Sequence, residues 1–388
     1  MVRSQRHNCK PRGTDSAHSC AQGSVLCALW LLWLREQGRM RYTGGMKLMQ
    51  NVSLADYSSM QLGGTAQYVI EAMSHDELIE ALEFAKKHDL PVRMIGGGSN
   101  IIWRDEGFAG VLLLSSIKCF EKIAEDATSA TYKVGAGEIL DDIISRTTKF
   151  GLSGIEALSL IPGTVGATPV QNVEAYGQEI SQTLVELEAY DSQSGEFVTL
   201  QNSECDFSYR SSRFKTYDNG RFFITYLTLR LRKNHLQPPY HQGLQTYVDQ
   251  WGKTDYSPAA LREYVIDIRS QKLPDPSKVA NNGSFFNNAI IPREQFDALY
   301  AEYPDIQHYP MPDGQVKIPA RWLIENSGFS AGFQDAATGC GLWPGQALVV
   351  VNYTAKSTQD LETFAKMITD AVHAKFGISL KQEPELLP

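Results

Sequence analysis

One hydroxyl, Ser284, stands between a Gly–Asn turn signal and two adjacent phenylalanines in VANNGSFFNN, residues 279–288. A surface loop has no need of Phe285 and Phe286, and a buried strand gains little from so many asparagines. The mixture suits a polar group held against an apolar wall, although a turn serine bonding its own loop satisfies the same letters. Three glycine-rich runs offer a second kind of chemistry. GGGSN at 96–100 lets successive backbone N–H groups approach a diphosphate, with Ser99 and Asn100 adding polar contacts, or else it is a tight turn between two strands. It has neither the G-K-[ST] of a P-loop nor the G-x-G-x-x-G spacing of a Rossmann turn. GAGEIL (135–140) and LIPGTVGATPVQN (160–172) are the other two runs.

The elements that must position these groups are legible in part. SHDELIEALEFAKKHDLP from Ser74 predicts a helix with a Ser74/Glu77 capping box, followed by a strand, the GGGSN loop and a second strand in VRMIGGGSNIIW. VLLLSS from Val111 and TYKVGAGEIL from Thr131 predict strands, the latter leading into a helix to about Phe150. Residues 158–177 form a long ordered loop, LVELEAYDSQSGEFVTL a hairpin, and FFITYLTLRL from Phe222 a strand. Beyond QKLPDP (271–276) come a helical stretch near Pro292–Tyr303, a strand at 347–352, and a helix from Ser357 to Phe376 capped by Ser357 and Asp360.

Composition narrows the class. A chain of 388 residues with 43% hydrophobic and 21% charged residues is an ordinary globular protein of two or three domains. Its formal charge of -8 argues against a general nucleic-acid binder. Six cysteines (9, 20, 27, 119, 205, 340) form no C-x-x-C pair and the eight histidines show no ligand spacing. No metal site is expected, and a reducing cytoplasm is the default. Residues 1–48 carry scattered basic groups and the apolar run VLCALWLLWL (25–34), too short to span a bilayer and followed by no cleavage signal. They are expected to stand outside the fold.

Taken in order, IGGGSN, VGAGEIL and LIPGTVGATPVQN resemble the flavin-binding domain of the vanillyl-alcohol oxidase and p-cresol methylhydroxylase type. SYRSSRFK (208–215), QKLPDP, NNGSFFNN (281–288) and EPE (383–385) sharpen this: from about Met49 to the end, the chain resembles type I UDP-N-acetylenolpyruvoylglucosamine reductases. The resemblance implies an α+β protein, with a two-lobed FAD-binding domain over 49–268 and a smaller α/β substrate-binding domain over 269–376. A final segment, 377–388, would return to the active site. It implies FAD, held without a covalent link because no histidine lies near GGGSN, and NADPH as co-substrate. In that family NADPH reduces the flavin, whose hydride then adds to the enolpyruvyl ether of UDP-N-acetylglucosamine to give UDP-N-acetylmuramate for peptidoglycan.

By motif match Arg210 and Glu385 would stabilise the enolate, and Ser284 would deliver its proton. Gly96, Gly97, Gly98, Ser99, Asn100, Gly163, Gly166, Thr168 and Arg269 would bind the cofactor; Tyr240, Lys272, Asn288, Tyr309 and Gln346 would bind the UDP-sugar. Tyr209 would frame the site. A small-molecule substrate, no nucleic acid, no membrane and a monomer are the implied partners. Three positions depart from the family pattern. Glu174 stands for a glycine, with an expected cost of about 1 kcal/mol if that glycine uses positive φ and repulsion toward the flavin pyrophosphate. Asn287 replaces a lysine beside Ser284, and GFSAG (328–332) lacks another. The rival readings are a flavin oxidase of the same fold and a binding protein that has lost turnover.

Overall fold

The computed structural model describes residues 40–43, 46–238 and 240–388; the apolar run at 25–34 and the first three cysteines lie outside them. Strands β1 (Met40–Thr43) and β2 (Met46–Ser53) pair antiparallel, and β2 pairs in turn with β3 (Thr65–Ala72). The expectation that everything before residue 49 stands outside the fold is therefore corrected for 40–43 and 46–48. Leu48 is buried opposite Ile70, and Lys47 meets Glu71 across the ladder at 2.9 Å.

Helix α1 (His75–Lys87) begins where the Ser74 hydroxyl accepts from the Glu77 N–H at 3.2 Å, and the Glu77 carboxylate accepts from Met73 N–H rather than closing the box on Ser74. It lays Leu78, Ala81 and Ala85 on the sheet. Strand β4 (Val92–Ile95) enters the glycine loop, β5 (Ile101–Trp103) leaves it, and β6 (Phe108–Ser115) follows. The first sheet has the order β1-β2-β3-β6-β4, with β6 parallel to both β3 and β4. Strand β5 is not in it, so GGGSN is no hairpin turn: it carries the chain from one sheet to another.

The second lobe is a wholly antiparallel sheet. Its strands are β7 (Phe120–Glu125) and β8 (Ser129–Gly135), then, after helix α2 (Leu140–Lys149), β11 (Leu184–Asp191), β12 (Glu196–Gln201) and β13 (Phe222–Arg232). The order is β12-β11-β13-β8-β7. The long loop before β11 holds only the two-residue strands β9 (Glu174–Ala175) and β10 (Gln178–Glu179) besides single helical turns. Two helices not singled out in the sequence then follow. They are α3 (Gln242–Gln250) and α4 (Pro258–Lys272), the latter capped by Ser257 with proline in its first turn. Arg262 on α4 grips Asp141 on α2 through two hydrogen bonds of 2.5 and 2.8 Å. The domain break expected at residue 268–269 falls inside the last turn of α4.

The C-terminal domain joins a four-stranded sheet, order β14-β20-β19-β18, to a three-stranded one, β15-β17-β16. Their ranges are β14 (Ala280–Ser284), β15 (Ala289–Ile291), β16 (Tyr309–Pro310), β17 (Val316–Ile318), β18 (Gln334–Asp335), β19 (Cys340–Trp343) and β20 (Gln346–Asn352). Helices α5 (Arg293–Glu302), α6 (Ala320–Asn326) and α7 (Thr358–Phe376) enclose them. On α7, Leu361, Phe364, Ile368 and Val372 face a core that also contains Phe285 and Phe286. Its Ser357/Asp360 capping box is closed in both directions. The chain ends in β21 (Glu385–Leu387), which lies parallel to β5. Among the described residues no helix is long and apolar enough to cross a membrane, and no group of His, Cys, Asp or Glu is arranged to hold a metal.

The tail is held by Leu387, which is buried in one cluster with Trp103 and Leu54. Leu387→Ala is expected to cost about 2–5 kcal/mol through lost transfer energy and the cavity left behind. Denaturation followed by tryptophan fluorescence checks this, and a loss below about 1 kcal/mol would show that the tail is not docked.

Candidate functional site

A cavity of about 870 Å³ opens where the two lobes and the C-terminal domain meet. The glycine loop 96–100 and parts of the loop 160–174 form one wall; Arg210, Lys215 and residues 218–220 and 222–224 form the second. The end of α4, the stretch 273–284 and the C-terminal tail close the rest. Five basic and five acidic side chains border it, so its formal charge is zero.

The first wall is built by backbone against backbone. A Cβ on Gly97 would lie 2.8 Å from the Gly163 Cα, and Gly98, at φ +66°, would drive a Cβ to 2.1 Å from the Tyr57 carbonyl oxygen. Ser99 donates to the Pro162 carbonyl at 3.0 Å and the Asn100 amide donates to Gln171 at 2.5 Å, so two of the glycine runs are one surface. Gly96, Gly97, Gly98, Ser99, Asn100, Gly163 and Thr168 all border the cavity. Gly166 does not: it lies beneath, where its Cβ would strike Ala136, and its N–H donates to the Ala136 carbonyl at 2.9 Å. GAGEIL thus mainly supports the wall from beneath and borders the cavity only at Leu140.

Arg269 reaches the cavity from α4. Desolvation lowers its pKa, with Tyr176 and Asp141 pulling the other way. One of its terminal nitrogens donates to the Leu160 carbonyl at 3.4 Å, while its Nε is buried with no partner among the described residues. A buried, charged, unpartnered donor beside glycine-lined backbone is a seat for an anion. A flavin dinucleotide, with its pyrophosphate and large apolar ring, fits this wall.

The opposite end carries the acid–base groups. Tyr209 and Arg210 form the tip of a tight bend in which Ser208 and Ser211 exchange both backbone hydrogen bonds, leaving Arg210 at φ +53°. A non-glycine residue there costs of order 1–3 kcal/mol, which the surrounding bend must offset. The Arg210 Nε lies 3.3 Å from the Glu383 carboxylate, and Nη1 lies 3.5 Å from the Glu174 carboxylate and donates to the Glu174 carbonyl at 3.3 Å.

Glu385, expected with Arg210 to stabilise the enolate, borders the same cavity. Its carboxylate pairs with Arg93 on β4 and accepts from the Asn219 amide at 3.1 Å, while Arg93 also donates to Asn219 at 2.6 Å. The carboxylate nearest Arg210 on the tail is Glu383, the first letter of the same EPE motif. Burial raises the Glu383 pKa, Glu174 adds to the rise, and Arg210 and Lys215 oppose it. Desolvation likewise lowers the pKa of Lys215, against the pull of Glu383 and Glu385. Lys215 was in view within SYRSSRFK; Arg93 and Asn219 carry no local signal.

Ser284 ends β14 and borders the cavity. Gly283 is needed for its φ of +71°, not for close approach, because a Cβ there would meet open space. Phe285 and Phe286 are anchors: both are buried, in edge-to-face contact at 5.0 Å, and they fix the loop from below. The loop is tied to the tail by Glu383 N–H donating to the Phe285 carbonyl and Asn287 N–H to the Lys381 carbonyl, both at 2.9 Å. It is tied to the glycine wall by the Asn282 amide, which donates to the Ser99 and Ile101 carbonyls at 3.1 and 3.2 Å.

The five residues expected on the UDP side do not border this cavity. Tyr240 is buried against α3 and α4 and donates to the Leu236 carbonyl. Lys272 closes α4, and Tyr309 is exposed on β16. The Asn288 amide accepts from Ala320 N–H at 3.0 Å, and Gln346 opens β20. The strain expected at Glu174 is also corrected: Glu174 lies in β9, outside the positive-φ residues, and its carboxylate faces Arg210.

Comparison with known proteins agrees with this geometry. Residues 66–201 match the family described as FAD binding domain. Residues 275–387 match that described as UDP-N-acetylenolpyruvoylglucosamine reductase, C-terminal domain. The UDP-N-acetylenolpyruvoylglucosamine reductase of Cupriavidus pinatubonensis is 40% identical, over 83% of this chain and 94% of that one. The enzyme of the same name from Ralstonia nicotianae is 38% identical, over 86% and 97%. The crystal structure of the Thermus caldophilus reductase superposes with a TM-score of 0.61 at 19% identity, covering 90% of this chain and all of that one. The chain belongs to the UDP-N-acetylenolpyruvoylglucosamine reductase family.

Proposed function

We propose that this protein reduces UDP-N-acetylglucosamine enolpyruvate to UDP-N-acetylmuramate, using NADPH as reductant and non-covalent FAD as carrier. The observation that carries the reading is the meeting of Arg210, Ser284 and the tail carboxylates at one end of a cavity whose other wall is glycine backbone with a buried, unpartnered Arg269 nitrogen. FAD, when bound, would supply the two-electron hydride chemistry that links NADPH to the enolpyruvyl group.

The protein's own residues do the rest. Glycine backbone at 96–98 and 163 and the Arg269 guanidinium hold the cofactor's phosphates. The Arg210 guanidinium neutralises the substrate carboxylate, so that negative charge building on the adjacent carbon after hydride addition is stabilised. The Ser284 hydroxyl, fixed by the phenylalanine anchors below it, gives its proton to that carbon. Glu385, held by Arg93 and Asn219, lines the same end as an electrostatic partner. The UDP-side roles of Tyr240, Lys272, Asn288, Tyr309 and Gln346 rest on the motif resemblance alone, since none of the five borders the cavity. The chain's domain break is placed at 273–279, after α4, rather than at residue 268.

Anaerobic stopped-flow on the FAD-loaded protein tests this directly. NADPH should bleach the flavin at the same rate, within about two-fold, in wild type and Ser284→Ala; reoxidation by the enolpyruvyl substrate should be about 10²–10⁴-fold slower in the variant. No substrate-dependent reoxidation in wild type overturns the function; equal reoxidation in both overturns the role of Ser284.

Arg269→Met removes a charge-assisted contact to phosphate. It should weaken FAD binding by about 10- to 100-fold, read from flavin fluorescence on dilution. Unchanged retention would show that the pyrophosphate lies elsewhere.

A further inference from the structure

The zero formal charge of the cavity is unexpected for a site that takes a dinucleotide and a UDP-sugar bearing a carboxylate. Glu174 is one of the acidic residues that bring it to zero. The Glu174 carboxylate sits 3.5 Å from the Arg210 Nη1, on the guanidinium that an incoming carboxylate must reach. Resting on the function proposed above, we propose that Glu174 is a specificity-determining residue. It is an internal carboxylate that competes for Arg210 and so sets how tightly this protein takes carboxylate-bearing UDP-sugars.

The geometry describes a contact poised for exchange. Every polar approach to Arg210 lies between 3.3 and 3.5 Å. Bidentate carboxylate pairs settle near 2.7–2.9 Å, so a ligand carboxylate gains more from Arg210 than its present neighbours do. Of the two flanking carboxylates only Glu174 can yield. Its side chain is 25% exposed against 11% for Glu383, whose backbone is also tied to the Ser284 loop by its N–H on the Phe285 carbonyl. Glu174 projects from a two-residue strand that ends a long loop, and its backbone is not in the left-handed region. A neutral isostere is therefore accommodated there without backbone strain.

Displacing Glu174 has a second consequence. Glu174 is one of the groups holding the buried Glu383 toward its neutral form. A ligand that drives Glu174 away brings its own negative charge to the same place, so the environment of Glu383 is little altered by binding. A UDP-sugar whose sugar bears no carboxylate brings no anion to Arg210, displaces nothing there and meets Glu174 still in place.

The test compares two probes on the FAD-loaded protein, by titration calorimetry or flavin absorbance: UDP-N-acetylmuramate, which has the carboxylate, and UDP-N-acetylglucosamine, which lacks it. Glu174→Gln, with Glu174→Ala as a second variant, should tighten UDP-N-acetylmuramate by about ten-fold and leave UDP-N-acetylglucosamine within about two-fold. The KM for the enolpyruvyl substrate should fall in parallel. An equal effect on both nucleotides, or weaker binding of UDP-N-acetylmuramate, overturns the role of Glu174 alone. A wild-type protein that binds neither nucleotide overturns the functional reading and this inference with it.

Discussion

The pairing of the C-terminal strand β21 with β5 is the contact on which the site depends. Glu385 N–H donates to the Asn100 carbonyl and Arg104 N–H to the Leu387 carbonyl, so the last residues are sewn to the strand that leaves the glycine loop. A three-residue strand has too few hydrogen bonds to stand alone. It persists because Leu387 is buried beside Trp103, and because residues 381–383 are bonded on their other side to the Ser284 loop. Ordering the tail closes a chain of some hundreds of residues, but closure entropy grows only logarithmically with length. The same few bonds that dock the tail also set the distance between Ser284, Arg210 and two carboxylates.

That arrangement places opposing charges in a partly dry space, and burial decides which way each leans. Glu383 is pushed toward its neutral form and Lys215 toward its neutral form, each against the attraction of its neighbours. For a carboxylate with a raised folded pKa the sign is fixed. Its contribution to stability is fully present below the ordinary carboxylate range and is lost as pH rises through the folded value. Glu383 is therefore a cost to the fold at neutral pH, carried by the core around Phe285 and Phe286. A stability optimum would have placed an apolar group there.

Much of the fold was legible because its signals are local. Ser357 and Asp360 announce α7, the hairpin of β11 and β12 follows from alternation around SQSG, and glycines at 97 and 98 mark backbone that no Cβ can share. What was not legible depends on separation. The runs flanking GGGSN read as two strands joined by a turn or a cradle; only the partners available in space, β6 for β4 and β21 for β5, send them to different sheets. Helices α3 and α4 carry no signal strong enough to be read in advance, and the packing of the Tyr240 ring among them depends on contacts that no local pattern shows. The Arg93–Glu385 pair joins residues 292 apart, and no spacing rule reaches that far. Glu174 shows the limit from the other side. Its oddness was visible, but its neighbour was not, since Arg210 lies 36 positions on and reaches it only through a strained bend.

That bend explains why the reacting end tolerates so much acid. Arg210 is held at positive φ by two backbone bonds between Ser208 and Ser211, not by its own side-chain contacts, all of which are long. A bend held by backbone bonds keeps the Arg210 Cα, from which the guanidinium reaches, in place whether its carboxylate neighbour is Glu174 or a ligand. Had short salt bridges located it instead, each exchange of partner would have moved it, and the charge that develops beside Ser284 would meet a donor not yet in place. The strain in the bend and the looseness of the ion pairs are thus two sides of one design: the cation is fixed so that its anion can be changed.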